Sequence, residues 1–317
     1  MPQRDVPTGV KAIKRRRPES VVIKADWAKL DPSLFGLAMF RPIKRGDRPR
    51  VEMEGQFAGE KIEVVSAFAL GADDLSVLLA VLTLAGQKSR GILLLPASFP
   101  KHREAIKDLE PSGEALDAEH IALDTTVYEI LSTAGMPTGG DHYTHFKQIM
   151  KRLRHVSYTR EVIHGNQSVT FSSAQETLLY YRTGEDGYVH ITLSERLSKA
   201  LLRAPFDMLW MPDYRSLNGA VARIALTRLA VLVSPGETMS YKLDDLVGIV
   251  YGESLKSMTS QQIRDRRRGL RKALDELNQL DSWLIKLDHR AIVFVTNLRR
   301  RGKLVEANGL VKEWALV

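Results

Sequence analysis

Residues 259–296 read TSQQIRDRRRGLRKALDELNQLDSWLIKLDHRAIVFVT. Thr259 and Ser260 are helix-capping residue types, and Ile263, Leu270, Leu274 and Leu277 recur at helical spacing behind them. One turn after Ile263, where an apolar stripe would continue, stand Arg266 and Arg267. The front half of this helix therefore lacks continuous burial, and Arg264, Arg267, Arg268 and Arg271 present guanidinium groups at spacings of three and four. Trp283–Leu287 and Ala291–Thr296 follow as two strands across the turn Asp288-His289-Arg290. Upstream, Lys242–Tyr251 reads as a short helix and Gly252–Ser257 as a polar turn. Before them Asp213–Val233 reads as one long helix stopped by Ser234-Pro235-Gly236. Helix, short helix, turn, basic helix and hairpin is the order of a helix-turn-helix followed by a β wing.

More than 100 residues earlier the order recurs. Thr125–Gly135 (TTVYEILSTAG) predicts a short helix with Gly135 as its stop, and GMPTGG (Gly135–Gly140) a turn. Asp141 is the expected N-cap of DHYTHFKQIMKRLRHV, whose Tyr143, Phe146, Met150 and Leu153 form a core stripe beside a basic face of Lys147, Lys151 and Arg154. Ser157–Val162 and Ser168–Ser172, around His164-Gly165-Asn166, form the hairpin that directly follows this helix and take the place of a wing. A second hairpin, Leu178–Thr183 with Tyr188–Leu193, and a capped helix from Ser194 to Leu202 close the unit. Ahead of it, Lys61–Leu70 reads as a strand, and Leu75, Leu78, Leu79 and Leu82 as a buried scaffold helix ended by Gly86. Pro96–Ile121 is an acidic connection with no assigned structure.

The reading is thus α+β, two tandem winged-helix domains. A basic arm spans 1–33, a first domain with the acidic insertion 34–204, and a second domain 205–317. Length agrees, since 317 residues is about twice the ~150 residues expected of one domain. Lys and Arg number 46 against 38 Asp and Glu, a net +8 that suits a polyanion partner. The charge is sorted: Arg4, Lys11, Lys14, Arg15, Arg16 and Arg17 face only Asp5 within residues 1–17, whereas residues 108–129 carry seven acids and no Lys or Arg.

Between Arg264 and Arg271 five arginines oppose only Asp265, more than local pairing neutralises. The DNA-contact set is accordingly Lys147, Lys151, Arg152 and Arg154 on the first basic helix, and Arg264, Arg266, Arg267, Arg268, Arg271 and Lys272 on the second. Arg290 in the wing turn and Arg15, Arg16 and Arg17 of the arm complete it. Arginine pairs bidentately with guanine O6 and N7 in the major groove. The alternatives are an amphipathic helix paired to Asp265 and Asp275, a solvated three-charge face on the first helix, and an arm that only aids solubility.

Much chemistry is excluded or weak. With no cysteine, there is no disulfide, thiolate nucleophile or iron–sulfur cluster. Residues 1–17 lack the apolar core of a secretory signal and no apolar run reaches ~18 residues, so the expectation is a cytoplasmic protein without a membrane partner. No GxxxxGK[ST], GxGxxG or HExxH occurs, and no cofactor is expected. Asp141, His142 and His145 could together ligate a metal, but a polar helix surface is the better reading. Ser98 to Lys101 matches SxxK by chance. A nuclease or strand transferase would have to use Tyr143, Tyr158, Asp141 or His142, without any clustered carboxylates for two metals.

The segment LFGLAMFRPIKRGDR (Leu34–Arg48) with LGADDLSVLLAVLTLAG (Leu70–Gly86) resembles the RepC-type replication initiators of broad-host-range plasmids, and more broadly the RepA, TrfA and Rep initiators. KQIMKRLRHVSY (Lys147–Tyr158) and RDRRRGLRKALDELNQL (Arg264–Leu280) extend the likeness over roughly 34–300. The resemblance implies a non-catalytic initiator that binds direct repeats (iterons) in double-stranded origin DNA and melts the origin with host DnaA. It also implies recruitment of a DnaB-type helicase and a homodimer that represses its own gene. By position it places Lys147, Lys151, Arg152 and Arg154 on the first recognition helix, and Arg264, Arg267, Arg268 and Arg271 on the second. A winged-helix transcriptional regulator with no part in replication fits the same residues.

Overall fold

In the computed structural model, the residues described are 26–300, apart from 44–45, 47, 58, 88–89, 97–99, 165–166, 169–173, 185–187 and 204, together with 303–305 and 311–313. The arm with Arg15, Arg16 and Arg17, the His164-Gly165-Asn166 turn and Ser98 of the SxxK match fall outside these residues, wholly or in part.

The chain opens with β1 (Trp27–Leu30), α1 (Pro32–Gly36), β2 (Val51–Phe57), β3 (Glu60–Ser66) and α2 (Ala72–Gly86). There follow β4 (Gly91–Leu94), α3 (Pro100–Lys107), β5 (His120–Thr126), α4 (Val127–Ala134) and α5 (Gly140–Arg154). Next come β6 (Val156–His164), β7 (Gln167–Ser168), β8 (Ala174–Thr177), β9 (Leu179–Thr183), β10 (Tyr188–Leu193) and α6 (Glu195–Leu202). The last part holds β11 (Asp207–Trp210), α7 (Met211–Ser216), α8 (Ala220–Leu232), β12 (Thr238–Lys242), α9 (Leu243–Tyr251), α10 (Ser260–Leu277), β13 (Trp283–Leu287) and β14 (Ile292–Asn297). The fold is mixed α and β with small antiparallel sheets.

One topology occurs twice. In the second half the order β12, α9, α10, β13, β14 closes into a three-stranded sheet β12-β14-β13. In the first half β5, α4, α5, β9 and β10 form the equivalent β5-β10-β9, extended by β4. The counterpart of the β13–β14 hairpin is therefore β9–β10, not the hairpin that directly follows the basic helix. Strand β6 instead pairs with β3, Val64 opposite Tyr158, and joins the β2-β3-β6-β7 sheet with β8 on its flank. Sequence adjacency misled here because β6–β8 are inserted between α5 and its own hairpin.

Both short helices stop the same way. Gly135 ends α4 at φ 68°, ψ 29°, and Gly252 ends α9 at φ 65°, ψ 28°, the left-handed conformation that costs other residues ~1–2 kcal/mol. Each elbow also lies against the opposite half of the chain. A Cβ on Gly252 would stand 2.6 Å from the Ala38 Cβ, and one on Gly135 2.9 Å from the Arg215 Cγ.

Three further expectations change. The predicted helix 213–233 is broken at Leu217-Asn218-Gly219 into α7 and α8, and the Glu276 carboxylate accepts from the Asn218 and Gly219 amides at that break. Gly139, not Asp141, precedes α5, and Asp141 lies in its first turn, where negative charge suits the helix dipole. The unassigned acidic stretch contains α3, a 3-10 turn at Gly113–Asp117 and the start of β5.

Helix α2 is buried almost throughout, as its apolar run ADDLSVLLAVLTLAG requires. Its hydroxyls bond within the helix, Ser76 to the Ala72 carbonyl and Thr83 to the Leu79 carbonyl, and Ser76 also meets the Tyr214 hydroxyl at 2.9 Å. One hydrophobic cluster runs from Ala28 and Leu30 through α2 and α5 to α8, α10 and Val295. Strands β1 and β11 pair antiparallel, Trp27 opposite Trp210, joining segments from the two halves. Arg228 of α8, buried at 3% exposure, donates to the carbonyls of Phe35 and Phe40. Burial pushes that guanidinium down to about 9, with neighbouring Arg41 adding to the effect.

Candidate nucleic-acid interface

Helix α10 begins with a reciprocal cap. The Thr259 hydroxyl accepts from the Gln262 amide at 3.2 Å, and the Gln262 side chain accepts from the Thr259 amide at 2.8 Å. Leu270, Ala273, Leu274 and Leu277 bury its rear half, while Ile263 in the front half is only half-buried. Gln261, Arg264, Arg268, Arg271 and Lys272 are exposed. Gly269 lets Tyr251 of α9 pack against α10, since a Cβ there would stand 2.6 Å from the Tyr251 hydroxyl.

The arginines of this helix are not equivalent. Arg267 makes two bonds of 2.6 Å to Asp244 on α9, which hold the Asp244 carboxyl below its ordinary range and raise the guanidinium. Arg266 lies 4.3 Å over the Tyr251 ring and 3.5 Å from Glu253. Arg268 pairs with Asp265 at 2.8 Å, and Arg264 donates to Gln261 at 2.8 Å. Among the described residues, Arg264, Arg271 and Lys272 make no ion pair and form the open cationic surface of α10. The acids that engage Arg266 and Arg267 come from α9 and its elbow, so counting acids within the helix overstated its open charge. Arg290 is exposed in the β13–β14 turn, where its amide donates to Asp288.

On α5, Phe146, Ile149, Met150 and Leu153 face the core, while Lys147, Lys151 and Arg154 are exposed and, among the described residues, make no ion pair. Arg152 departs from its expected place. It is 8% exposed, and its Nε donates at 2.7 Å to the fully buried Asp74 of α2, which also holds Arg48 at 2.8 Å. Its position, three residues after Ile149, turns it inward, so it is a packing residue on α5's core side. Arg154 lies 4.5 Å over the ring of Tyr180 on β9, a neighbour invisible from spacing alone.

The groups considered for catalysis are scattered. His145 pairs with Asp73 at 3.1 Å, and no cluster of three metal-ligating side chains occurs among the described residues. The Tyr158 hydroxyl is buried and donates at 2.6 Å to Glu176, whose carboxyl burial raises to about 8. Tyr143, expected in the core stripe, is instead exposed on the first turn of α5, and the stripe runs through Phe146, Ile149, Met150 and Leu153. No helix among the described residues is long and apolar enough to cross a membrane.

Residues 24–289 match the profile of the Replication protein C (RepC) family. The chain belongs to the RepC family. The match takes in the first repeated unit and the second as far as the β13–β14 turn, and with them α5 and α10 of this RepC-family protein. The chain is also similar to two crystal structures of domains 2 and 3 of RctB. One has 13% identity, covers 84% of this chain and 98% of that one, and gives a TM-score of 0.48; the other has 12% identity, covers 85% and 97%, and gives 0.49. No curated protein sequence matches the chain.

Proposed function

We propose that this RepC-family protein is a replication initiator that binds double-stranded origin DNA through two tandem winged helices, in which α5 and α10 are the recognition helices. The observation that carries this reading is the twice-used order of strand, helix, left-handed glycine elbow, helix and hairpin, each time with open cations on the second helix. Helices of this kind enter the major groove, where arginine reads guanine and lysine neutralises phosphate. The first winged helix lies within residues 34–204 and the second within 205–317. On this reading Lys147, Lys151 and Arg154 contact DNA from the first, and Arg264, Arg268, Arg271, Lys272 and Arg290 from the second.

The target is a set of direct repeats beside the origin, with Arg15, Arg16 and Arg17 of the arm on phosphates. The protein acts in the cytoplasm without a cofactor or catalysis of its own, alongside DnaA and a DnaB-type helicase, and a homodimer represses its gene. Protection footprinting on DNA flanking its gene, at near-physiological salt, tests this. Regularly spaced protected repeats are the expected result. A single protected palindrome would mean a transcriptional regulator, and nicking of supercoiled DNA with magnesium would mean an enzyme.

A further inference from the structure

The basic face of α5 does not end with the helix. Arg154, its last residue, lies over the Tyr180 ring at 4.5 Å, and Arg182, two residues along β9, lies 5.6 Å from the same ring centroid. Tyr180 thus touches both guanidiniums, and the line Lys147, Lys151, Arg154 continues by way of an aromatic side chain onto the hairpin. Arg182 is 61% exposed. It bonds to the Tyr180 hydroxyl and to an acid of this chain, Asp108, in the turn just after α3, whose side chain is 28% exposed. One row over, His190 of β10 lies opposite Arg182 and is paired with Asp124 at 2.6 Å.

A carboxylate and a phosphodiester offer an arginine the same paired oxygens. We propose that Arg154, Tyr180 and Arg182 form a clamp for the phosphodiester backbone of duplex DNA, and that Asp108 occupies the phosphate's place on Arg182 until DNA displaces it. Tyr180 is the positioning residue, fixing Arg154 through its ring face. The inference rests on the reading of α5 as a DNA-facing helix. It adds an internal competitor, so the acid and the base have effects of opposite sign.

The test uses the full chain and a mixed-sequence 30-base-pair duplex, with affinity read by fluorescence anisotropy across a salt series and folding checked by circular dichroism. Arg182→Ala is expected to lower the slope of log K against log salt by about 0.9, the share of one phosphate. Asp108→Asn is expected to tighten binding several-fold and Tyr180→Leu to weaken it, with Tyr180→Phe in between because it keeps the ring face under Arg154 and loses the hydroxyl that holds Arg182. Lys151→Ala separates the two readings. If Lys151→Ala weakens binding while Arg182→Ala and Asp108→Asn change nothing, the clamp is wrong and α5 still faces DNA. If Lys151→Ala also changes nothing, the DNA-facing reading of α5 fails and the clamp with it.

Discussion

Two adjacent residues of α5, Lys151 and Arg152, should separate binding from folding. The Asp74 carboxylate is fully buried and takes three donors: the Gly71 amide at 2.7 Å, Arg48 at 2.8 Å and the Arg152 Nε at 2.7 Å. Arg152→Ala deletes one charge-assisted bond, worth about 1.5–3 kcal/mol. Two donors stay on Asp74, and the Arg152 Nη2, buried without a partner, disappears with the side chain, which trims the loss to about 2 kcal/mol. Asp74→Ala removes the acid from two guanidiniums and the cap from α2, and should cost about 3–5 kcal/mol, the range for breaking a buried ion pair. Urea denaturation followed by circular dichroism reads both losses. Duplex binding by folded Arg152→Ala should stay within about twofold of wild type, whereas Lys151→Ala should weaken binding and leave the urea midpoint unmoved. The reasoning is refuted if Arg152→Ala denatures like wild type yet loses DNA affinity as Lys151→Ala does.

Gly252→Ala should lower stability by about 1–2 kcal/mol for the left-handed backbone alone, and further because its Cβ would meet Ala38; a thermal melt reads this. Glu129 is held down to about 2, chiefly by its bonds from Arg90 at 2.6 and 2.8 Å. Its folded value lies below the ordinary 4.5, so its contribution is present above pH 4.5 and fades as pH falls toward 2; a carboxyl NMR titration should lose the depression in Arg90→Ala. Arg299 lies 5.0 Å from the Trp27 ring and 5.2 Å from the Trp210 ring, and pairs with Asp213 at 2.8 Å. Arg299→Ala should change tryptophan emission and cost about 2–3 kcal/mol; an unchanged spectrum would place the charge off the rings.

The sequence made the second unit nearly complete, because its capping box, apolar stripe and hairpin are all local signals. Strand β12 escaped although TMSYK alternates, with Met239 and Tyr241 between Thr238, Ser240 and Lys242, because five residues that lie mostly exposed at a sheet edge give only a short signal. The first unit misled at its hairpin because only pairing with β3, almost 100 residues away, identifies β6 as an insertion. Charge followed the same rule. Lys151 and Arg154 were legible from helical spacing, but Arg152 depends on Asp74, Arg267 on Asp244 and Arg182 on Asp108, and no periodicity shows such long-range partners. The break at Leu217-Asn218-Gly219 was hidden likewise, as the Glu276 that caps it lies 57 residues downstream of Gly219.

The crossed seating of the two elbows also constrains how the protein is made. Gly135 rests on Arg215 and Arg228 holds the carbonyls of Phe35 and Phe40, so the first half completes its packing only after α8 has been synthesised. At roughly 5–20 residues per second, the elbow of α4 waits about 4–16 seconds for Arg215, and the carbonyls of Phe35 and Phe40 about 10–40 seconds for Arg228. During vectorial synthesis the N-terminal half is thus a client for whatever shields apolar surface at the ribosome, and slowing translation between residues 135 and 232 should lengthen that exposure.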